Sequence, residues 1–303
     1  MKRRKLTEPW RTGGLRRSGT WRDLAELVRA PAALSVPGDV IAGAAAARRL
    51  GPRTAGLAGA SVLLYWAGMA ANDWSDREID AKERPGRPIP SGRVTPATAL
   101  GVATGLTAAG VLAAGLTGGR RALAVAVPLA GAIWAYDLRL KYPAVMATCR
   151  GLNVLLGATD GRLRQALWPA ATVFAHTYAV TALSGAEVDG AAPELPKATL
   201  AATAAVAVAA RAEAGSPKPA AVFGRPVATA LAAWYAVRFG RPQVEAVRDP
   251  DAAHIRGAVG AGILNLPVLQ GALTARAGAP LTGLAVAAAA PVARRLSRKV
   301  SPT

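Results

Sequence analysis

The sequence predicts an all-α polytopic membrane protein, a helical bundle or barrel of nine to ten transmembrane helices. Long runs that are nearly free of charge contribute most of the 52% apolar residues, and the basic residues that give the net charge of +19 lie between these runs. No run alternates polar and apolar residues with a period of two, which disfavours a transmembrane β-barrel. A soluble Ala-rich helical protein would need a charged face along each helix, and the runs have none.

Ten apolar runs supply the candidate spans. Each is rich in Ala, Val, Leu and Gly, and a helix needs about 20 residues to cross a bilayer. Several runs are close to or below that length, so nine spans stay an alternative to ten. The runs are residues 31–47, 54–71, 97–117, 122–136, 143–160, 166–183, 198–210, 220–237, 257–275 and 280–293.

The distribution of Lys and Arg predicts the orientation of the chain. With the N-terminus in the cytoplasm and ten spans, the cytoplasmic segments hold 25 Lys and Arg and the opposite loops hold 10. Three arginines between residues 48 and 53 are the main exception. We therefore expect a protein of the cytoplasmic membrane with a basic cytoplasmic arm (1–30), a single transmembrane domain (31–296) and a short basic tail (297–303).

The basic balance does not indicate a nucleic-acid partner. The three Phe and five Tyr of the chain leave few rings on which bases could stack. The single Cys149 excludes an internal disulfide, and His176 and His254 are too few to form a zinc site unaided. The expected environment is the lipid bilayer, and the sequence predicts no obligate protein partner.

Asp39 lies within the first apolar run, where an acidic residue is costly and usually faces a cavity or a partner. The sequence leaves two alternatives open. The side chain either lines a substrate chamber or forms an internal pair with an arginine.

The most informative stretch is residues 69–96, MAANDWSDREIDAKERPGRPIPSGRVTP, which follows the end of the second run. Five of the 18 acidic residues lie between positions 73 and 83. Asn72, Asp76 and Asp80 are four residues apart, which puts them on one helical face. Three oxygen-bearing side chains in this arrangement need a cation. Hard oxygen ligands suit Mg²⁺, which is commonly shared with substrate phosphates.

Two other acids, Asp73 and Glu78, are expected to point away from that face. Basic residues follow at once, and three prolines between positions 85 and 90 keep the segment extended. The stretch predicts a metal-bound diphosphate at the cytoplasmic membrane surface; the alternative is a charged loop that only obeys the orientation rule. The donors for the remaining phosphate oxygens would be Lys82, Arg84, Arg87 and Arg93.

The segment NDWSDREIDAKERPGRPIPSG resembles the first aspartate-rich motif of the UbiA superfamily of intramembrane prenyltransferases. That motif reads N-D-x-x-D-x-x-x-D and precedes an R-P-x-P-x-G-like loop. Three further segments extend the resemblance over most of the chain. YDLRLKYP (136–143) is similar to the Tyr- and Lys-containing segment after the family's fourth helix, RGLNVLLGA (150–158) to its fifth helix, and RAPAALSVPGDVIAG (29–43) to its first helix.

The resemblance implies a helical barrel, mostly of nine transmembrane helices, with a polar cap over two aspartate-rich loops. It implies Mg²⁺-dependent transfer of a polyprenyl group from a polyprenyl diphosphate to a small acceptor, aromatic or polar, within the membrane. Lys141 would contact the diphosphate and act in catalysis with Asn72, Asp76 and Asp80. Further diphosphate contacts implied by the resemblance are Arg29, Tyr136 and Asn153.

The chain departs from the family at the second acidic motif. The family has two aspartates about four residues apart after its sixth helix, whereas this chain reads LSGAEVDGAAPELPK (183–197). Glu187 and Asp189 are the candidate metal ligands there, although a spacing of two does not place them on one helical face. Such altered motifs are similar to those of a divergent branch with EboC-like and actinobacterial members. They leave open an alternative, a non-catalytic protein that binds or translocates a prenylated lipid or precursor.

Overall fold

The computed structural model describes residues 20–291 apart from 30–32, 34 and 212–218. The predicted arm up to residue 19 and the tail 297–303 lie outside the described residues. The part described is all-α and contains no strand. Its helices are α1 (Trp21–Leu27), α2 (Val36–Ala46), α3 (Pro52–Ser75), α4 (Arg77–Glu83), α5 (Pro96–Leu138), α6 (Pro143–Gly157), α7 (Leu163–Ser184), α8 (Glu194–Arg211), α9 (Pro219–Arg248), α10 (Ala252–Arg276) and α11 (Pro280–Ala287).

Helix α5 contains two of the predicted spans because it breaks at Gly119. This residue has φ 65° and ψ −154°, a conformation that glycine adopts without the strain of a Cβ atom. The chain therefore reverses, and the two halves of α5 pack against each other. Trp134 Nε1, in the second half, donates a hydrogen bond of 3.0 Å to Thr107 Oγ1 in the first.

Three helices of the described chain are long and apolar enough to cross a membrane, namely α3, α5 and α10. Shorter apolar helices are α2 and the segment Pro280–Pro291. Each apolar run of the sequence contains a helix, so the predicted all-α class is confirmed. Whether nine or ten segments span the bilayer stays a prediction.

Small residues let helices α2 and α6 cross with their backbones in contact. A Cβ atom on Gly43 would lie 1.8 Å from the carbonyl oxygen of Val154, and one on Gly157 would lie 1.9 Å from that of Val40. In a bilayer, lipid is as apolar as a leucine side chain, so close packing of small residues supplies much of the attraction between helices. This crossing fixes α2 against α6.

A buried polar network joins the same two helices to α10. Asp39 is fully buried, and its carboxylate lies 3.0 Å from Arg150 Nε. Asn153 Nδ2 and Gln270 Nε2 donate to the two oxygens of Asp39 at 3.1 and 2.6 Å. Of the two alternatives for Asp39, the structure confirms the internal pair with an arginine.

The loops that carry both acidic segments lie at the same end of the bundle. Lys141, between α5 and α6, contacts Asp76 at the end of α3. Arg256 of α10 donates a 2.7 Å hydrogen bond to the backbone oxygen of Glu187, and the charge of Arg84 acts on the same Glu187. We call this the acidic end.

The other loops meet at the opposite end of the bundle. There Arg53 at the start of α3 pairs with Asp160 after α6. Trp168 Nε1 of α7 donates to the backbone oxygen of Ala209 near the end of α8, at 3.1 Å. The loops are thus sorted between the two ends as the alternation of spans predicts.

Substitution of Gly157 by Ala should lower the free energy of unfolding by about 1–3 kcal/mol, because the added methyl group forces α2 away from α6. The matched control is Gly59→Ala in α3, where an added Cβ atom meets nothing within 4 Å. The control should be neutral or stabilising by up to about 1 kcal/mol. Thermal unfolding in detergent measures both, and equal effects would contradict the close crossing.

Candidate functional site

The first acidic segment is not one uninterrupted helix. Helix α3 ends at Ser75, and Asp76 has φ −88° and ψ 4° before α4 begins. Asn72 Nδ2 donates to Asp76 Oδ2 at 3.2 Å, whereas the Asp80 carboxylate, one turn beyond the break, faces Arg87. Backbone hydrogen bonds from Asp76 N to Asn72 O (2.9 Å) and from Asp80 N to Asp76 O (2.8 Å) still run through this bend, but the side chains have different partners. That Asn72, Asp76 and Asp80 bind one ion stays a prediction.

Asp73 joins Asp80 through a shared arginine. Arg87 Nη1 lies 3.3 Å from Asp73 Oδ1 and 2.5 Å from Asp80 Oδ2, and the two aspartates are only 4% and 3% exposed. Arg29 Nη2 adds a second contact to Asp73 at 3.1 Å, and Arg84 lies 3.9 Å from Asp80. The sequence reading, which set Asp73 aside, missed this pairing. A spacing of seven residues, two helical turns, is the signal that would have found it.

Asp76 is held by a lysine from a different loop. Lys141 Nζ contacts both oxygens of the Asp76 carboxylate and lies 2.6 Å from Oδ2. Asn72, Asp76 and Lys141 thus form a second group beside the Asp73–Arg87–Asp80 bridge. The resemblance predicted Lys141 as a site residue, and the structure places it beside the first acidic motif.

Arg93 is engaged elsewhere than predicted. Its guanidinium donates to Asp23 Oδ1 at 2.7 Å, to Glu26 Oε2 at 2.6 Å and to the Gly86 backbone oxygen at 2.7 Å. Hydrogen bonds from Thr20 and Arg93 lower the pKa of the Asp23 carboxyl below its usual range. Arg93 therefore links α1 to the loop after α4. Its guanidinium N–H groups are already used in these contacts, so they are not available to a phosphate.

Lys82 is exposed and makes no ion pair with any residue that the structure describes. It lies on α4 two residues after the buried Asp80, a spacing that puts the two side chains on different faces of the helix. Its long side chain is free to reach an anion at the acidic end, but no contact in the structure holds it there.

The second acidic loop contributes one carboxyl group toward the first. Burial raises the pKa of Glu187, and the charges of Arg256 and Arg84 act in the opposite direction. Arg84 belongs to the first acidic segment, so Glu187 faces that segment. Asp189 is exposed and makes no hydrogen bond or ion pair within the described part of the chain. The structure thus brings Glu187, but not Asp189, toward the acids of α3 and α4.

A compact group of possible metal ligands occurs at the start of α10. Within the described ranges, Asp249, Asp251 and His254 have ligand atoms that all lie within 4.8 Å of one another. Asp251 is the N-cap of α10, accepting a hydrogen bond from the His254 backbone at 2.8 Å. Both aspartates are exposed, and capping accounts for the arrangement.

An apolar cavity lies directly beneath the charged groups of the first segment. Its empty volume, including the space open to the surroundings, is about 560 Å³. It lies between α2, α3, the second half of α5 and α6. Gly68 and Met69, which line it, precede the first acidic residues on α3, while Tyr65 and Tyr136 contribute aromatic rings.

Asn153 lies at the far side of this cavity and not among the charged groups. It accepts a hydrogen bond from Ser61 Oγ at 2.5 Å and donates to Asp39. Ten residues of α6 separate it from Pro143, a distance of about 15 Å along the helix. The predicted contact of Asn153 with diphosphate does not fit this placement, because its amide belongs to the Asp39 network.

Asp137 is a further residue that the sequence reading missed. It is 3% exposed, lines the cavity and lies within electrostatic range of Lys141 and Asp76. Among the described residues, none makes a hydrogen bond or an ion pair with its carboxylate. The available signal was an acid at the end of an apolar run, directly after Tyr136 in YDLRLK.

Comparison with known proteins places these features in a family. The model of the UbiA prenyltransferase family matches residues 36–243. Digeranylgeranylglyceryl phosphate synthase of Methanothrix thermoacetophila is 46% identical over 82 residues, 27% of this chain and 30% of that protein. The synthase of the same name from Methanopyrus kandleri is 39% identical over 107 residues, 33% of this chain and 39% of that protein. These matches span less than half of either relative.

A solved structure has the same fold. It comes from work on digeranylgeranylglyceryl phosphate synthase in membranes and superposes with a TM-score of 0.63 at 14% identity. The superposition covers 84% of this chain and 98% of the other. At this identity the likeness establishes the fold alone.

Replacing Arg87 by Met should lower the free energy of unfolding by about 3 kcal/mol, because Asp73 and Asp80 would stay buried without their shared cation. The control is Arg84→Met, which removes an exposed partner of the same Asp80 and should cost no more than about 0.5 kcal/mol. Denaturant unfolding in mixed micelles compares the two. Equal losses would mean that the bridge is not what stabilises this end.

Proposed function

The chain belongs to the UbiA prenyltransferase family, and from this premise we propose that it transfers a polyprenyl group from a polyprenyl diphosphate to a small acceptor inside the membrane. The supporting observation is the position of the charged groups directly above an apolar cavity. A polyprenyl diphosphate has the same division, a charged head on an apolar chain. Its head fits the acidic end, and its chain fits the cavity.

The basic side chains of the acidic end would bind the diphosphate. Lys141 and Arg87 lie against carboxylates at the cavity mouth, and Arg29 and Arg84 flank them. A guanidinium group offers paired donors for phosphate oxygens, and a lysine offers a mobile point charge. Lys82 is close enough in sequence to join them. Tyr136 lines the cavity wall, so we assign it to the first carbons of the prenyl chain instead of the diphosphate.

The residues present fit a divalent cation such as Mg²⁺. Their donors are carboxylate and amide oxygens, which are the hard ligands that Mg²⁺ prefers. Asp76 and Asp80 each accept a cationic side chain, so their surroundings already accommodate positive charge. We propose Asn72, Asp76 and Asp80 as ligands, with Asp73 and Glu187 as further candidates. When bound, the ion would supply positive charge that stabilises the departing diphosphate.

The cavity would protect the allylic cation that forms as the diphosphate leaves. Its walls are largely apolar, and a closed apolar site keeps water from capturing a reactive intermediate. The rings of Tyr65 and Tyr136 line it, and aromatic faces attract cations when these are desolvated. Fixed positive charges at Arg87 and Lys141 would meet the negative charge that develops on the leaving group.

The names of the relatives suggest a donor and an acceptor. Digeranylgeranylglyceryl phosphate carries two geranylgeranyl groups on glyceryl phosphate, so its final step adds one such group to a hydroxyl of geranylgeranylglyceryl phosphate. We propose geranylgeranyl diphosphate as donor and a lipid alcohol of this class as acceptor. The proposed orientation, from the basic loops, puts the N-terminus and the acidic end in the cytoplasm.

The experiment that tests this function uses the purified full chain in lipid nanodiscs. With geranylgeranyl diphosphate, geranylgeranylglyceryl phosphate and Mg²⁺, we expect a prenylated product and an equal amount of pyrophosphate. Removal of divalent ions with EDTA should abolish both, and added Mg²⁺ should restore them. Asp76→Asn should lower the rate by at least about 100-fold, because it removes a proposed ligand and the Lys141 partner.

The matched control is Asp160→Asn at the opposite end of the bundle, which removes a carboxylate outside the site and should leave the rate unchanged. Tight binding of the donor without pyrophosphate release would favour the alternative, a protein that binds or translocates a prenylated lipid. Equal rates for wild type and Asp76→Asn would contradict the proposed role of the first acidic segment.

A further inference from the structure

We propose that Asp137 is the catalytic base that accepts the proton of the acceptor hydroxyl group during prenyl transfer. The inference rests on the proposed function and adds a residue that the acidic motifs do not contain. It also specifies the acceptor as a group that gives up a proton, such as an alcohol or a phenol.

The position of Asp137 is the first support. The carboxylate lies at the junction of the charged acidic end and the apolar cavity. On one side it is within electrostatic range of Lys141 and Asp76, and on the other it lines the cavity with Tyr65 and Met69. The reacting carbon of a polyprenyl diphosphate joins the charged head to the apolar chain, so it must occupy this junction. A nucleophile that attacks this carbon lies beside Asp137.

The second support is that the carboxylate oxygens of Asp137 remain able to accept hydrogen bonds. Asp137 is 3% exposed, yet within the part of the chain that the structure describes it makes no hydrogen bond or ion pair. Other buried acids are engaged: Arg87 donates to both Asp73 and Asp80, and Arg150, Asn153 and Gln270 contact Asp39. Burying a carboxylate without donors is costly, so a site that retains one has room for a donor from outside the chain.

The third support is the lack of a competing base in the same cavity. Among the described residues that line it, Asp137 carries the one carboxylate. Arg150 and Asn153 are occupied in the Asp39 network. Cys149 and the two tyrosines are weaker proton acceptors, because thiols and phenols hold their proton near neutral pH.

The proposed step balances without a further reactant. The bond between C1 of the prenyl group and the diphosphate oxygen breaks, and its electron pair leaves with the diphosphate. The acceptor oxygen forms a bond to C1, and its proton moves to a carboxylate oxygen of Asp137. After release of the product the proton would return to water through the acidic end, where Lys141 and Asp76 lie within electrostatic range of Asp137.

The test compares Asp137→Asn, Asp137→Glu and Asp160→Asn in nanodiscs with geranylgeranyl diphosphate and geranylgeranylglyceryl phosphate. Asp137→Asn keeps the shape of the side chain but cannot accept the proton. We expect kcat to fall by about 100-fold or more. The affinity for geranylgeranyl thiodiphosphate, a donor analogue that does not react, should stay at the wild-type value. Asp137→Glu should retain more activity than Asp137→Asn because it keeps a carboxylate.

The outcomes separate this inference from the proposed function. A normal rate for Asp137→Asn, or equal losses for the Asn and Glu variants, would overturn the role of Asp137 and leave the function standing. A loss of donor affinity parallel to the loss of rate would show a structural role and would also overturn it. Absence of product with both wild type and Asp160→Asn would overturn the proposed function, and this inference with it.

Discussion

The structure depends on the neutralisation of charge in and beside an apolar bundle. Taking an unpaired carboxylate out of water costs several kcal/mol, which favours pairing of a buried acid with a cation or a set of donors. Arg150 lies against Asp39 in the interior, and Arg87 lies against Asp73 and Asp80 at the acidic end. The ion pair of Arg150 and Asp39 joins α6 to α2, and glycines bring the backbones of these two helices into contact. The contacts of Arg87 with Asp73 and Asp80 hold the loop after α4 over the mouth of the cavity.

The same requirement links the fold to the proposed chemistry. The ion pairs of the acidic end join groups that can each exchange partners: a divalent cation suits the carboxylates, and a diphosphate suits the released Arg and Lys side chains. A substrate with its metal would then replace one set of charge pairs by another without exposing a bare charge. Asp137 differs from its neighbours because it has no such partner, and its position beside the cavity is consistent with contact to an acceptor.

Much of this arrangement could be predicted from the sequence. Apolar runs marked the helices, and the order of the loops put both acidic segments at one end. The resemblance identified Lys141. The rest depended on geometry that linear patterns do not contain. Asn72 and Asp80 have different partners because Arg87 reaches Asp80 from the following loop, and the spacing of seven that pairs Asp73 with Asp80 is easily overlooked beside one of four. Arg93 was misassigned because its partners lie about 70 residues away, on α1.

The most direct test of the account is an experimental structure of the protein in nanodiscs with Mg²⁺ and geranylgeranyl thiodiphosphate. We expect the diphosphate between the first acidic segment and Lys141, a metal ion on the side-chain oxygens of that segment, and the prenyl chain in the cavity beside Tyr65. A diphosphate bound at the opposite end, near Arg53, or a prenyl chain outside the cavity would contradict it.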